Sequence, residues 1–111
     1  IAGGRPREAE PLLREALESS FAAFGAGDRR VVISKIQLGA CLTALARYPE
    51  AEALLLAAHE ASRRPGAAAG LGGEVTARLV ALYERWGRKA DAARYRALLP
   101  AAEPALAPSR K

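Results

Sequence analysis

The feature that most constrains the fold of this chain is a segment that occurs twice. Residues 4–18 read GRPREAEPLLREALE and residues 46–60 read ARYPEAEALLLAAHE, and eight of the fifteen aligned positions are identical. The first copy begins at Gly4 and the second at Ala46, in a chain of 111 residues. A repeat with a period of this length indicates a supersecondary unit that is used more than once.

The repeated segment has the hydrophobic pattern of an amphipathic helix. From Ala9, apolar residues recur at Leu12, Leu13, Ala16 and Leu17, which places them along one side of an α-helix. The chain is rich in residues that favour helices, and the β-branched residues that favour strands are sparse. We therefore predict an all-α fold. Five helices are predicted, alternating in direction, at residues 6–24, 29–46, 49–63, 73–87 and 89–99.

A weaker third copy of the segment begins at Gly87, so that equivalent turns fall at Gly4, Ala46 and Gly87, at almost equal spacings. Each unit is expected to be a helical hairpin, which cannot bury both of its apolar faces unless a neighbour stacks on it. The sequence thus predicts one helical repeat domain over residues 1–99, followed by a flexible tail at 100–111. The domain would consist of a half unit at 4–24 and two units at 29–63 and 73–99.

The stretch LGACLTALARYPEAEALLLAAHE, residues 38–60, resembles a tetratricopeptide repeat (TPR). The characteristic positions of that family are matched here by Leu38, Gly39, Leu42, Tyr48, Ala51, Leu55 and Ala58, and in the last unit by Leu79, Tyr83, Gly87, Ala92 and Leu99. Val80 and Arg96 depart from the pattern. The resemblance implies a right-handed superhelical stack in which Gly39 faces Ala51 within its hairpin.

Two further likenesses concern the type of repeat. The period of about 42 residues falls among the periods of repeat proteins. It is similar to that of the kinesin-light-chain-like TPRs of bacterial multidomain proteins. Residues 81–100 are similar to TPR segments that follow bacterial serine/threonine kinase domains, although this chain contains none of the kinase catalytic motifs. These likenesses imply a scaffold within a larger bacterial signalling protein.

The resemblance also implies a concave surface, formed by the first helix of each unit, on which a peptide can lie. That surface is expected to include Glu74, Ala77 and Glu84, together with the candidate binding residues. The candidate binding residues are Ile33, Ile36, Gln37, Ala40, Thr43, Arg78, Ala81 and Arg85. The expected function is a non-catalytic protein–protein interaction scaffold that binds a peptide or a partner domain. The Lys and Asn set with which some TPR proteins hold a C-terminal carboxylate does not occur at these positions.

Positive charge is concentrated in the second half of the chain. Residues 1–62 contain 7 Lys or Arg and 8 Asp or Glu, whereas residues 63–111 contain 10 and 4. Arg78 and Arg85 are seven residues apart, so they share one face of a helix, and an acidic peptide is the expected partner. The alternative is a basic regulatory module that contacts nucleic acid or another polyanion. Against it, the cations are not interleaved with aromatic residues.

Catalytic and metal-binding patterns are not recognisable in the sequence. His59 is the only histidine, and Cys41 is the only cysteine, which excludes an internal disulfide. We interpret Cys41 as a core residue and His59 as a surface residue. The glycine-rich stretch 66–73 lacks the Gly-Lys-Ser/Thr ending of a phosphate-binding loop and is interpreted as a flexible connector. We therefore expect no enzymatic activity, no cofactor and no metal.

The ends and the surroundings of the chain lead to three further expectations. No apolar run approaches the roughly 20 residues of a membrane-spanning helix, and the start of the chain does not resemble a signal peptide. We expect no contact with a membrane, a cytoplasmic location, and a chain that is a fragment of a longer protein. The first helix is expected to lack its hairpin partner, which would leave part of the stripe Leu12–Leu17–Phe21 open to solvent and favour self-association.

Overall fold

The computed structural model of the protein describes residues 5–66 and 69–99. The helices are α1 (Pro6–Phe24), α2 (Arg29–Ala44), α3 (Tyr48–Ser62), α4 (Gly72–Trp86) and α5 (Lys89–Arg96), with one 3-10 turn at Ala69–Leu71. These residues contain no strand, and the predicted all-α fold is confirmed. Gly4 and the predicted tail at 100–111 lie outside the described residues.

Four helices end before the predicted residue, α3 and α4 by one residue each and the other two by more. The first of these two is α2, which ends at Ala44 rather than at residue 46, because Ala46 has a left-handed backbone with a φ of 62°. The second is α5, which ends at Arg96 rather than at residue 99. Beyond it, the amide of Leu98 donates to the carbonyl of Tyr95 at 2.9 Å, three residues back. Bonds of this spacing form the tighter 3-10 type of turn, in which the α-helix does not continue.

Neighbouring helices run antiparallel, as contacts between their opposite ends show. Cys41 Sγ, near the end of α2, lies 3.1 Å from the carbonyl oxygen of Pro6 at the start of α1. Tyr48 at the start of α3 stacks on Trp86 at the end of α4, with ring centroids 5.5 Å apart. Short turns join α2 to α3 and α4 to α5. In addition, α2 contacts α4 directly, so the first helices of the two hairpins lie side by side.

The turn that ends α2 recurs at the end of α4. The amide of Arg47 donates to the carbonyl of Leu42 at 2.9 Å, and in the next unit the amide of Arg88 donates to the carbonyl of Tyr83 at 2.8 Å. In both turns the residue before the donor has a positive φ. This combination is the Schellman motif, which satisfies carbonyls that the end of a helix leaves without a partner.

The helices that follow these turns, and α1 as well, begin alike. Arg5, Arg47 and Arg88 are the N-cap residues of α1, α3 and α5, and their ψ angles are 66°, 68° and 77°. Each guanidinium pairs with the carboxylate three residues later, at 3.3, 2.9 and 3.2 Å respectively. The sequence repeat is therefore accompanied by a repeat in local structure at three helix starts.

The core is formed mainly by α2, α3 and α4, and at Gly39 the backbone of α2 lies close to α3. A Cβ on this residue would lie 2.7 Å from Cγ of Leu55. The predicted close approach at Gly39 is confirmed, and the nearest side chain there is Leu55 rather than the predicted Ala51. The three atoms nearest to an added Cβ all belong to Leu55, one turn beyond the buried Ala51. Cys41 is fully buried, as predicted.

Tyr83 is the largest fully buried side chain and connects three helices. Its ring stacks on Tyr95 of α5 with the centroids 5.7 Å apart. Its hydroxyl donates to a carboxylate oxygen of Glu52 on α3 at 2.7 Å. Burial, and then the bond to Glu52, raise the pKa of Tyr83 above its ordinary value of 10.0. The hydroxyl therefore stays protonated in the folded protein.

A ring of four charges connects α1 to α3. The guanidinium of Arg14 pairs with Glu10 at 2.7 Å and with Glu50 at 2.5 Å. The guanidinium of Arg47 pairs with the same two carboxylates at 2.8 and 2.9 Å. The hydrogen bond from Arg14, together with the positive charge of Arg47, lowers the pKa of Glu10. The ring thus links the half unit to the hairpin that follows it.

The predicted apolar stripe of α1 is exposed in part. Leu12 and Phe21 are 67% and 55% exposed, whereas Leu17 is half-buried against the core. Leu12 and Phe21 are nine residues apart, which places them on opposite sides of a helix with 3.6 residues per turn. Part of the predicted stripe is therefore exposed, as expected, but its exposed residues do not share one face of α1, because Leu17 between them packs inward.

Candidate functional site

The candidate binding residues lie where α2 runs beside α4. A depression of about 420 Å³ is lined on the α2 side by Ile33, Ile36 and Gln37 and on the α4 side by Arg78 among other residues. A second depression, of about 180 Å³, is lined on the α2 side by Ala40 and Thr43 and on the α4 side by Arg78, Ala81 and Arg85. Because Arg78 borders both, the two depressions adjoin. We call them together the α2/α4 groove.

All eight candidate residues therefore line one surface, but two of them offer little to a ligand. Ile36 is 4% exposed and belongs to the hydrophobic core. Thr43 is 6% exposed, and its hydroxyl donates to the carbonyl of Gly39 at 2.8 Å within the same helix. These two side chains support the floor of the groove. The accessible lining is left to Ile33, Gln37, Ala40 and the three residues of α4.

The charges of the groove are partly neutralised from within the chain. Nε of Arg78 lies 3.1 Å from a carboxylate oxygen of Glu74, one turn earlier on α4. Outside the groove, Arg96 of α5 contacts Glu84 of α4. Among the described residues, Arg85 has no such carboxylate partner. Arg85 is thus the side chain in the groove with the most positive charge to offer.

Sequence reasoning missed three residues that line the groove: Ala44, Gly70 and Leu71. The glycine-rich stretch around Leu71 was predicted to be a flexible connector. In its described part, residues 69–71 form a 3-10 turn that leads directly into α4, and Leu71 is only 8% exposed. The signal in the sequence was a single large apolar residue among glycines and alanines, which can anchor a turn to the core.

The chemistry of the groove suits binding rather than reaction. Its polar side chains are two guanidinium groups, the Gln37 amide, the Glu74 carboxylate and the internally bonded Thr43 hydroxyl. His59 lies outside the groove and borders another cavity. Within residues 5–66 and 69–99, no cluster of three or more His, Cys, Asp or Glu side chains could hold a metal ion.

Among the helices that the structure describes, none combines the length and the apolar composition that crossing a bilayer requires.

Comparisons of the chain with protein-family models, with curated proteins and with solved structures find no match. The resemblance to TPR proteins and the right-handed superhelix that it implies stay predictions from the sequence.

Proposed function

We propose that this protein is a non-catalytic interaction scaffold of the TPR type that binds an extended, acidic peptide segment in the α2/α4 groove. The observation that carries the proposal is the convergence of the eight candidate residues on one surface. Their positions in the sequence repeat predict that they share one surface, because they come from equivalent helices of two successive units. The kinase-associated likeness of the last unit supports a place in a bacterial signalling protein of the cytoplasm.

The dimensions of the groove fit a short peptide. From residue 33 to residue 43 the axis of α2 extends by about 15 Å, at 1.5 Å per residue. An extended chain covers this distance with about four or five residues, at roughly 3.3 Å per residue. Ala40 and Ala81, on opposite helices, both line the groove with small side chains, which leaves space for peptide side chains, and Ile33 offers an apolar contact.

The charges favour an acidic ligand. A carboxylate in the groove can pair with Arg85 without displacing an internal partner. It can also compete for Arg78, because the Arg78–Glu74 pair is half-exposed and exposed pairs contribute little, about 0–1 kcal/mol. Binding is therefore expected to be weak to moderate and to decrease with salt, which screens exposed charges.

The alternative, a module that binds nucleic acid, receives less support from the described residues. Arg88 and Arg94 both pair with Asp91, and Arg96 contacts Glu84. The indole of Trp86 is stacked on Tyr48 on one side, and the guanidinium of Arg88 lies 4.3 Å from its ring. A base would have to displace these contacts in order to stack there.

The experiment is a fluorescence polarisation screen of short peptides that are acidic, basic or neutral, with amide NMR mapping of the hits. We expect saturable binding of acidic peptides, with shifts at the amides of Gln37, Ala40, Ala81 and Arg85. A gel shift with nucleic acid at physiological salt tests the alternative. Binding of all three peptide classes alike, or shifts confined to other surfaces, would contradict the proposal.

A further inference from the structure

A second cavity, which shares no lining residue with the α2/α4 groove, lies at the start of α4. Its volume is about 480 Å³. Its lining comes from the end of α3 and the residue after it, from the first turns of α4, and from one apolar residue beyond α5. The lining residues are His59, Ser62, Arg63, Gly72, Gly73, Thr76 and Leu98.

The first observation that points to a ligand is Thr76. Thr76 lines the cavity and is only 5% exposed. Within the described residues its hydroxyl makes no hydrogen bond, whereas the buried hydroxyls of Thr43 and Ser62 each donate to a backbone carbonyl at 2.8 Å. A buried hydroxyl without a partner is unfavourable, and a ligand in the cavity would supply the missing bond.

The second observation is the start of α4. This helix has 15 residues and no side-chain cap at its N-terminus. The first amides of an α-helix have no carbonyl partner within the helix, and the helix dipole makes this end favourable for anions. The 3-10 turn Ala69–Leu71 already engages the amide of Gly72, so the amides that follow Gly72 are the ones left to a ligand. A Cβ on Gly73 would meet no atom within 4 Å, so the backbone is open at this point. The acidic residue of the first turn, Glu74, borders the α2/α4 groove instead.

The charges around the cavity complete the argument. Arg63 makes only a loose pair with Glu60, at 3.9 Å, and its side chain is 68% exposed, so its guanidinium can turn towards a bound anion. Burial, and then the positive charge of Arg63, lower the pKa of His59 below its ordinary value of 6.5. The neutral form of His59 is therefore favoured, and a neutral imidazole can still share a hydrogen bond.

We propose that this cavity binds a tetrahedral oxyanion of the phosphate class. The first-turn amides of α4, the Thr76 hydroxyl and the Arg63 guanidinium donate to it. A helix N-terminus with a nearby guanidinium is suited to such an anion. The source is either free phosphate or the phosphate monoester of a modified side chain. The site does not depend on the proposed peptide groove.

The test is an amide NMR titration with inorganic phosphate and, separately, with O-phosphoserine, each with sodium chloride adjusted to hold the ionic strength constant. We expect saturable shifts at Gly72, Gly73 and Thr76. Stronger binding of O-phosphoserine identifies a monoester as the ligand, and equal binding identifies the free anion. Absence of a saturable shift at these amides with both probes would overturn the proposal.

Three variants test the assigned donors. Thr76→Val and Arg63→Gln are each expected to weaken binding about tenfold, the effect of losing one hydrogen bond to a charged group. The matched control is Arg64→Gln, which removes the same charge one residue away, at a side chain that lines a different cavity. Arg63 lies beyond the last residue of α3 and is exposed, so Arg63→Gln should fold. Equal weakening by Arg63→Gln and Arg64→Gln would show a general charge effect and contradict the site.

Discussion

Ala46 occupies the same left-handed backbone position in its turn that Gly87 occupies in the equivalent turn of the next unit. Their φ angles are 62° and 82°, and within the described residues Ala46 is the only residue other than glycine with a positive φ. A side chain in this conformation is strained, whereas glycine adopts it readily. The same turn thus occurs twice, once with glycine, which adopts this conformation readily, and once with alanine, which does not.

We predict that Ala46→Gly stabilises the protein. Relief of the strain at φ 62° should outweigh the greater flexibility of glycine in the unfolded chain, by about 0.5–1 kcal/mol in net free energy of unfolding. Urea unfolding measures this. The matched control is Ala44→Gly, the same change at the last residue of α2, which should destabilise by about 0.5–1 kcal/mol. Loss of stability in both variants would show that the turn at Ala46 is not strained.

A methyl group at Gly39 should be costly. Because an added Cβ would lie 2.7 Å from the buried Leu55 side chain, Gly39→Ala is predicted to lower the free energy of unfolding by about 1–3 kcal/mol, and Gly39→Leu by more. In a Leu55→Ala background the same change should cost less, because the clash is gone. Gly73→Ala, where the added Cβ meets no atom within 4 Å, is the control and should not destabilise. Additive effects of the Gly39 and Leu55 substitutions would contradict the contact.

The sequence predicts the features that depend on residues close together in the chain better than the contacts between helices. The helices and the side-by-side placement of the candidate residues were predictable, because both follow from local periodicity and from the repeat. The contact between Gly39 and Leu55 was not predictable, because a small axial offset between two packed helices moves the contact by one helical turn, from Ala51 to Leu55. The Arg78–Glu74 pair could have been found, because residues four apart on a helix are neighbours. The contribution of Leu71 to the groove depends on a turn that no periodicity reveals.

The raised pKa of Tyr83 makes stability depend on pH in the alkaline range. Above pH 10.0, the ordinary pKa of tyrosine, the unfolded chain loses the hydroxyl proton while the folded protein keeps it. The contribution of Tyr83 is therefore present below that pH and falls as pH rises, with a limiting slope of about 1.4 kcal/mol per pH unit. In urea unfolding at several pH values, the free energy of unfolding of Tyr83→Phe should fall less steeply with rising pH than that of the wild type. Tyr48→Phe keeps Tyr83 and should behave as wild type, and identical slopes in all three proteins would refute this role.

Self-association through α1 stays a prediction, and the structure makes it more specific. Leu12 is exposed, whereas Leu54, its equivalent in the second copy of the repeated segment, is half-buried against the core. A second copy of the chain can cover Leu12, so Leu12→Glu should shift the protein towards monomer in light scattering at high concentration. Phe21→Glu, on the opposite side of α1, should have less effect. A wild-type protein that is monomeric at all concentrations would exclude the association.

The most direct test of the peptide-binding groove is the affinity of one acidic peptide for Arg85→Gln and for Arg94→Gln. Both variants lose one arginine charge, but only Arg85 lines the groove. At low salt, about 50 mM, we expect Arg85→Gln to weaken binding by up to about fivefold, as for a partly exposed ion pair, and at about 500 mM the difference should nearly vanish. Arg94→Gln should bind as wild type at both salt concentrations. Equal effects of the two variants, or no effect of Arg85→Gln at low salt, would contradict binding in the α2/α4 groove.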